Sequence, residues 1–208
     1  MYTPEHFRTP DLRLDQVRTG TLVTVDPATG RPDATFLPWV VLDGDRLTSH
    51  VAKVNPQTGH PGPALVIAMG ADGYVSDQWM APGAAPTWDY ETIHLHGDLT
   101  WMTDPDWVIQ SWDDMLRRFS DRTVADYDRA WLAQMARAVV GVEFRVTEIQ
   151  AKSKLSQNRP TTQIGVIADN LEPTCPHLAS RVREIALPHA AAREQRVSQA
   201  LPYGDPRA

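Results

Sequence analysis

Through the first hundred positions apolar and polar residues mostly alternate, and that period of two predicts strands rather than helices. Thr21 to Val25 is rich in β-branched residues and ends in the turn cluster Asp26-Pro27-Ala28-Thr29-Gly30. Ala34 to Leu42 and Arg46 to Ala52 follow, separated by Asp43-Gly44-Asp45, so consecutive antiparallel strands are expected. Ala64 to Met69 is continuously apolar, as for a strand buried on both faces, and Gly73-Tyr74-Val75-Ser76 reads as the start of another. Gln57 to Pro63 is too rich in Gly and Pro for a helix. The longest strand runs over Asp89 to Met102. Its alternation sets Ile93, Leu95, Leu99 and Trp101 on one face and Thr92, His94 and His96 on the other.

Helical spacing occurs at three places. Pro10 to Arg18 carries Leu12, Leu14 and Val17 and predicts a short helix ended by Gly20. After Asp104, an N-cap with Pro105 at the first helical position, Trp107, Val108, Trp112, Met115, Leu116 and Phe119 recur every three to four residues. Tyr127, Trp131, Met135 and Val139 repeat the pattern, with Gly141 as the expected stop. Stripes of this kind are read as core packing, without chemistry. Val142, Phe144 and Val146 then alternate in a strand that runs into Lys152-Ser153-Lys154-Leu155-Ser156-Gln157-Asn158-Arg159-Pro160. From about Pro173, Ala, Arg and Glu dominate, and Pro188 interrupts a weak set of Leu178, Val182 and Ile185, which predicts a helical or partly disordered arm. Six or more antiparallel strands with late helices give an α+β fold, mainly an antiparallel β-barrel.

Composition narrows the function classes. With 208 residues, 42% of them hydrophobic, the chain can bury a sizeable core. A formal charge of -6 argues against extended contact with phosphate backbones, so nucleic acid is not an expected partner. The single cysteine, Cys175, allows neither an internal disulfide nor a multi-cysteine metal site. No apolar run is long enough for a membrane helix and Met1 to His6 lacks the character of a secretory signal, so a cytoplasmic protein without membrane contact is expected.

Ser49-His50-Val51-Ala52-Lys53-Val54-Asn55-Pro56 sets an imidazole at a strand end, followed by a cation and an Asn-Pro turn. His94 and His96, two apart on one strand face, match two ligands of a metal site, but a third ligand is not apparent in the sequence. Lys152, Lys154, Ser156, Gln157 and Arg159 offer cations and donors from one strand and its exit turn, suited to haem propionates or to an FMN phosphate. These residues do not distinguish the two cofactors.

Several segments together resemble the PaiB family. They are Met1-Tyr2 with Pro4 and Phe7, Thr21-Leu22-Val23-Thr24, Leu37-Pro38, His50 with Asn55-Pro56, Tyr74-Val75-Ser76, Pro86-Thr87-Trp88-Asp89-Tyr90, His94 with Gly97, and Lys154-Leu155-Ser156-Gln157-Asn158-Arg159. The resemblance, colinear over about residues 1 to 168, implies a flavin-reductase-like split barrel over 1–171, with 172–208 as a C-terminal arm. It also implies a homodimer with cofactor sites at the interface. Within the family, Ala85-Pro86-Thr87-Trp88-Asp89-Tyr90 and Ile93-His94-Leu95-His96-Gly97 resemble the haem-dependent piperazate synthases. That branch cyclises N5-hydroxyornithine with formation of an N-N bond. The resemblance then implies haem b with His50 as its axial metal ligand, and Lys53, Asn55 and Trp88 beside the cofactor. A small amine or hydroxylamine is then the expected substrate, with Tyr74, Trp88 and Tyr90 expected to wall its pocket and His60, Asp89 or His94 to handle protons. The alternative is FMN, in a PaiB-like protein or transcriptional regulator. Asp77 replaces the usual Pro after Tyr-Val-Ser, and Asn158-Arg159 keep the regulator-like ending.

Overall fold

A computed structural model describes residues 1–9 and 12–200. Seven strands form one antiparallel sheet: β1 Thr19–Val25, β2 Pro32–Pro38, β3 Val40–Val41, β4 Arg46–Ala52, β5 Gly62–Val75, β6 Thr87–Met102 and β7 Val139–Lys154, in the order β2-β1-β5-β6-β7-β4-β3. The helices are α1 Pro105–Phe119, α2 Arg129–Ala136, α3 Thr161–Leu171, α4 Pro176–Arg181 and α5 Leu187–Ala200. The fold is α+β, as the alternation of apolar positions predicts. Among the described residues no helix is long and apolar enough to cross a membrane.

The chain divides into two compact units. The first comprises Met1, Pro10–Ala68 and Ile93–Gln150. It has a core of Leu22, Trp39, Leu47, Leu95, Val142 and Phe144, all essentially inaccessible to solvent. Trp39 separates β2 from β3; its indole donates to the Gly20 carbonyl at 3.3 Å and its ring meets Phe144 with centroids 6.2 Å apart. Asp104 caps α1 by accepting from the Asp106 amide at 3.0 Å, with Pro105 at the first helical position.

Three sequence expectations about the elements are corrected. Only a 3₁₀ turn, Leu14–Gln16, forms in the stretch expected to be a helix, of which Pro10 and Asp11 lie outside the described residues. The second helix ends at Ala136, and Gly141 sits inside β7 opposite His50 of β4. Its role is steric: a Cβ there would lie 2.5 Å from Trp107 Cε3 and 3.2 Å from Met102 Cβ. The segment 62–75 is one strand, not two, and it is not buried on both faces, since Met69 is 60% exposed.

The second unit comprises Tyr2–Thr9, Met69–Thr92 and the chain from Ala151 onward. The boundary expected at residue 171 falls inside it. Leu178, Ala179, Val182, Ala186 and Ala190 bury against Leu155, Ile164, Ile167, Ala168 and Leu171, so the helices beyond 172 are part of this core. A π turn, Val182–Ala186, joins α4 to α5. Residues 201–208 of the expected arm lie outside the described residues. Gly70 and Gly73 do not break β5; they admit neighbours. A Cβ on Gly70 would lie 2.9 Å from Glu91 Cβ, and one on Gly73 2.9 Å from Leu178 Cδ2.

Buried Glu91 ties the helices to the strands of this unit. Its carboxylate accepts two bonds from Arg181, Nε and Nη2 each at 3.0 Å, and one from Ser153 Oγ at 2.9 Å. Removing one partner strands the other's charge, so Arg181→Ala is expected to cost about 2 kcal/mol, below the usual cost of breaking a fully buried pair because the guanidinium is partly exposed. Urea denaturation, comparing midpoints at unchanged slope, measures it.

Candidate functional site

The first unit carries a cavity of about 340 Å³ with His50 in its wall. The rest of the lining is Trp112, Met115 and Leu116 of α1, Val124 and Tyr127 of the following loop, Trp131, Leu132 and Met135 of α2, and Ala138 and Val139 at the start of β7. The volume lies at the lower end of that of small-molecule pockets. The aromatic stripes read as core packing therefore do a second thing: their faces on α1 and α2 leave a space between them instead of closing on each other.

His50 enters this space because β4 alternates. Leu47, Ser49 and Val51 are buried on one face, and His50 falls on the other with Thr48, whose buried hydroxyl has no partner among the described residues. The imidazole meets Trp112 edge to face, with ring centroids 5.8 Å apart at 78°, and makes no hydrogen bond among the described residues. Burial lowers its pKa below the ordinary histidine value, so it is neutral at pH 7 with a lone pair available.

The loop wall depends on one carboxylate. Asp113 accepts from the Val124 amide at 2.9 Å and from Arg117 Nε at 2.7 Å, and these bonds, the amide first, hold its pKa below the ordinary carboxylate value. A depressed folded pKa contributes stability above the unfolded pKa, and the contribution is lost as pH falls through the folded one. Thermal midpoints of wild type and Asp113→Asn are accordingly expected to differ near pH 7 and to converge in acid below the carboxylate range.

The other first-unit candidates lie outside the lining. Lys53 is exposed, and its backbone N–H donates to Ala138 of the lining at 2.9 Å. Asn55 caps the 3₁₀ turn Pro56–Gly59, accepting from the Gln57 amide at 2.9 Å, and donates to Thr35 Oγ1 at 3.1 Å. His60 Nδ1 is 3.2 Å from Thr24 Oγ1, and its ring lies between the carboxylates of Asp26 and Asp33 at 3.9 and 3.8 Å. His94, on β6, has its pKa lowered by burial first and then by the N-terminal amine and His96. No group of three or more ligating side chains that could hold a metal occurs among the described residues.

In the second unit the remaining candidates are mostly bonded to one another. Asp89 is fully buried; Ser156 Oγ donates to it at 2.7 Å and Lys154 Nζ lies 3.3 Å away. Burial raises its pKa, against the opposing pull of Ser156, Lys154 and Arg159. Lys154 also donates to Thr87 Oγ1 at 2.6 Å and to the Trp88 carbonyl. Ser156 holds φ +62, the one non-glycine residue among those described with positive φ. Gln157 folds back on its own turn, accepting from the Leu155 amide and donating to the Ser153 carbonyl. Lys152 donates to the Tyr2 carbonyl and lies 5.2 Å over the Tyr90 ring, and Arg159 donates to Gln163. Tyr74 and Trp88 form an exposed pair, centroids 6.4 Å apart, with the indole donating to Asp72 at 2.9 Å.

Comparisons with known proteins fit this architecture. A family model described as "Putative FMN-binding domain" matches residues 1–148. The chain is 28% identical over 190 residues to the protease synthase and sporulation protein PAI 2 of Bacillus subtilis, covering 83% of this chain and 89% of that one. Among solved structures it is similar to a conserved hypothetical protein of Mycobacterium tuberculosis, with a TM-score of 0.55, 15% identity, and coverage of 77% and 94% of the two chains. It is also similar to the FAD and heme binding protein of Mycobacterium smegmatis, with a TM-score of 0.50, 21% identity, and coverage of 68% and 67%.

Proposed function

The chain belongs to the PaiB-like family of FMN-binding split-barrel proteins, and from that premise we propose that it carries haem b on His50 and is a haem-dependent enzyme acting on an N-hydroxylated amine. The reaction in this reading is N-N bond formation of the piperazate synthase kind. One observation carries the cofactor assignment: a neutral, unbonded imidazole is the one side chain with a nitrogen lone pair to donate in a lining otherwise aromatic and aliphatic. The chemistry of this donor set suits a flat apolar macrocycle, which, being larger than the 340 Å³ cavity, would extend beyond its opening. The anionic end of haem or of FMN needs fixed cations, and the lining itself has none, so it is the apolar wall with its single imidazole that favours haem. The M. smegmatis neighbour, described as binding both FAD and heme, is in keeping with a fold that accommodates either group.

When bound, haem supplies a redox-tunable iron with an exchangeable face, able to polarise an N–O bond. The chain's own residues do the rest. His50 would hold the iron through a ring nitrogen, and the near-perpendicular packing of Trp112 against it would restrain the imidazole plane. Trp112, Met115, Leu116 and Leu132 exclude water, which strengthens each polar interaction in the cavity and favours attack by an amine held close to the reacting nitrogen. In the cyclisation of N5-hydroxyornithine the N–O bond breaks, the N–N bond forms and water leaves, so no external oxidant or reductant is consumed. Tyr127 carries the lining's one hydroxyl, suited to deliver a proton to the departing oxygen. Half-exposed Trp131 and Met135 at the rim suit the homodimer expected for the family, with a second copy covering the opening.

A second reading is FMN in a PaiB-like regulator. It draws on the family's description and on the cations of Lys152, Lys154 and Arg159, which in this chain already bond to Tyr2, Trp88, Thr87 and Gln163. The reaction is tested by incubating haem-loaded protein with N5-hydroxyornithine. A cyclic hydrazine detected by mass spectrometry is the expected product. No product, with the haem spectrum intact, rejects the reaction and leaves the cofactor assignment standing.

A further inference from the structure

The loop between α1 and α2 sets a cation against the wall of the His50 cavity. Arg122 is exposed, and its guanidinium carbon lies 4.4 Å from the centroid of the Tyr127 ring. That ring in turn stacks on Trp131, with centroids 5.8 Å apart at 17°. Tyr127 and Trp131 both line the cavity. The guanidinium is thus held by a lining ring and pairs with no carboxylate among the described residues. Of the acids near it in sequence, adjacent Asp121 makes no ion pair with it among the described residues, while Asp126 accepts from the Thr123 amide at 2.8 Å and Asp128 from the Trp131 amide at 2.8 Å. An Arg on an aromatic face keeps its planar fork free at the edges, and that fork matches a carboxylate bidentately.

We infer that Arg122 anchors a carboxylate of the ligand whose flat apolar body occupies the cavity. This rests on the haem reading above and names the group that orients the macrocycle: a porphyrin propionate held by Arg122. The sequence points instead to Lys152, Lys154 and Arg159 for this task, but those side chains already have partners within the chain. Charge complementarity therefore assigns the anionic end of the ligand to the α1–α2 loop.

The test uses metal-free protoporphyrin IX, whose fluorescence reports binding without iron, His50 ligation or turnover. Wild type is expected to bind the diacid about tenfold more tightly than Arg122→Ala, as for loss of one charge-assisted pair near a surface. Arg122→Lys should retain part of the difference. The dimethyl ester, lacking carboxylates, should bind wild type and Arg122→Ala alike. Equal binding of the diacid to wild type and Arg122→Ala overturns the inference while leaving the haem reading in place. So does an equal loss for the ester, because the residue would then act on the pocket's shape. Absence of porphyrin binding by folded wild type overturns the inference, and if iron-loaded haem also fails to bind, the haem reading falls with it.

Discussion

Gly141→Ala is expected to destabilise the protein by about 3 kcal/mol, the upper range for forcing a methyl group into a packed site. For a chain of this size that is a fall in thermal midpoint of roughly 6–12 °C. The added Cβ would sit 2.5 Å from Trp107 Cε3 and 3.2 Å from Met102 Cβ, so the Trp107 ring must move or the strand must bend. Either response reaches the cavity. Trp107 and Trp112 share α1, and Gly141 pairs across the ladder with His50. The variant should therefore lose ligand affinity along with stability. Trp107→Leu in the same background removes the opposing ring and should restore part of the stability; calorimetry on the two variants is the check. A Gly141→Ala protein as stable as wild type would mean that α1 is not held against β7 as described.

His50→Ala should lower haem affinity by more than about 100-fold, since loss of even an outer hydrogen-bond partner of a ligand costs up to that much. The fold should survive, because the His50 side chain makes no hydrogen bond among the described residues and its ring packs against Trp112. Methionine or cysteine at the same position can donate to iron through sulfur, so those variants should retain haem with an altered spectrum. Haem titration under reducing conditions measures the affinities, and exogenous imidazole should partly rescue the alanine variant by filling the vacated position. Unfolding of His50→Ala would show a structural role instead.

Much of the fold is legible in the sequence, since a strand with one buried face must alternate. Leu22, Leu47, Leu95 and Phe144 lie where the alternation puts them. Apart from the short helix expected before Gly20, the errors arise where glycine has two meanings. Gly70 and Gly73 resemble a strand break, and Gly141 a helix stop, but all three are sites of close approach by Glu91, Leu178 and Trp107 respectively. Nothing local in the sequence announces a distant ring.

The candidate site was less legible for a related reason. Helical spacing tells which of Trp112, Met115, Leu116, Trp131 and Met135 share a face, but not whether that face meets another or borders a void. His50 stands out because it follows a strand and precedes Lys53 and Asn55-Pro56. Asn55, Ser156 and Gln157 have the polarity of ligand donors, yet Asn55 and Gln157 satisfy their own turns and Ser156 donates to buried Asp89. Composition cannot distinguish a donor aimed outward from one spent on the backbone beside it. Arg122 is silent in the sequence because a lone arginine in a polar loop carries no pattern.

The absorption spectrum of the purified protein, beside that of His50→Ala, tests the central claim most directly. A Soret band in the wild type that is lost in the alanine variant is the expected result. A flavin spectrum without iron in the wild type, or a Soret band unchanged by the substitution, would contradict it.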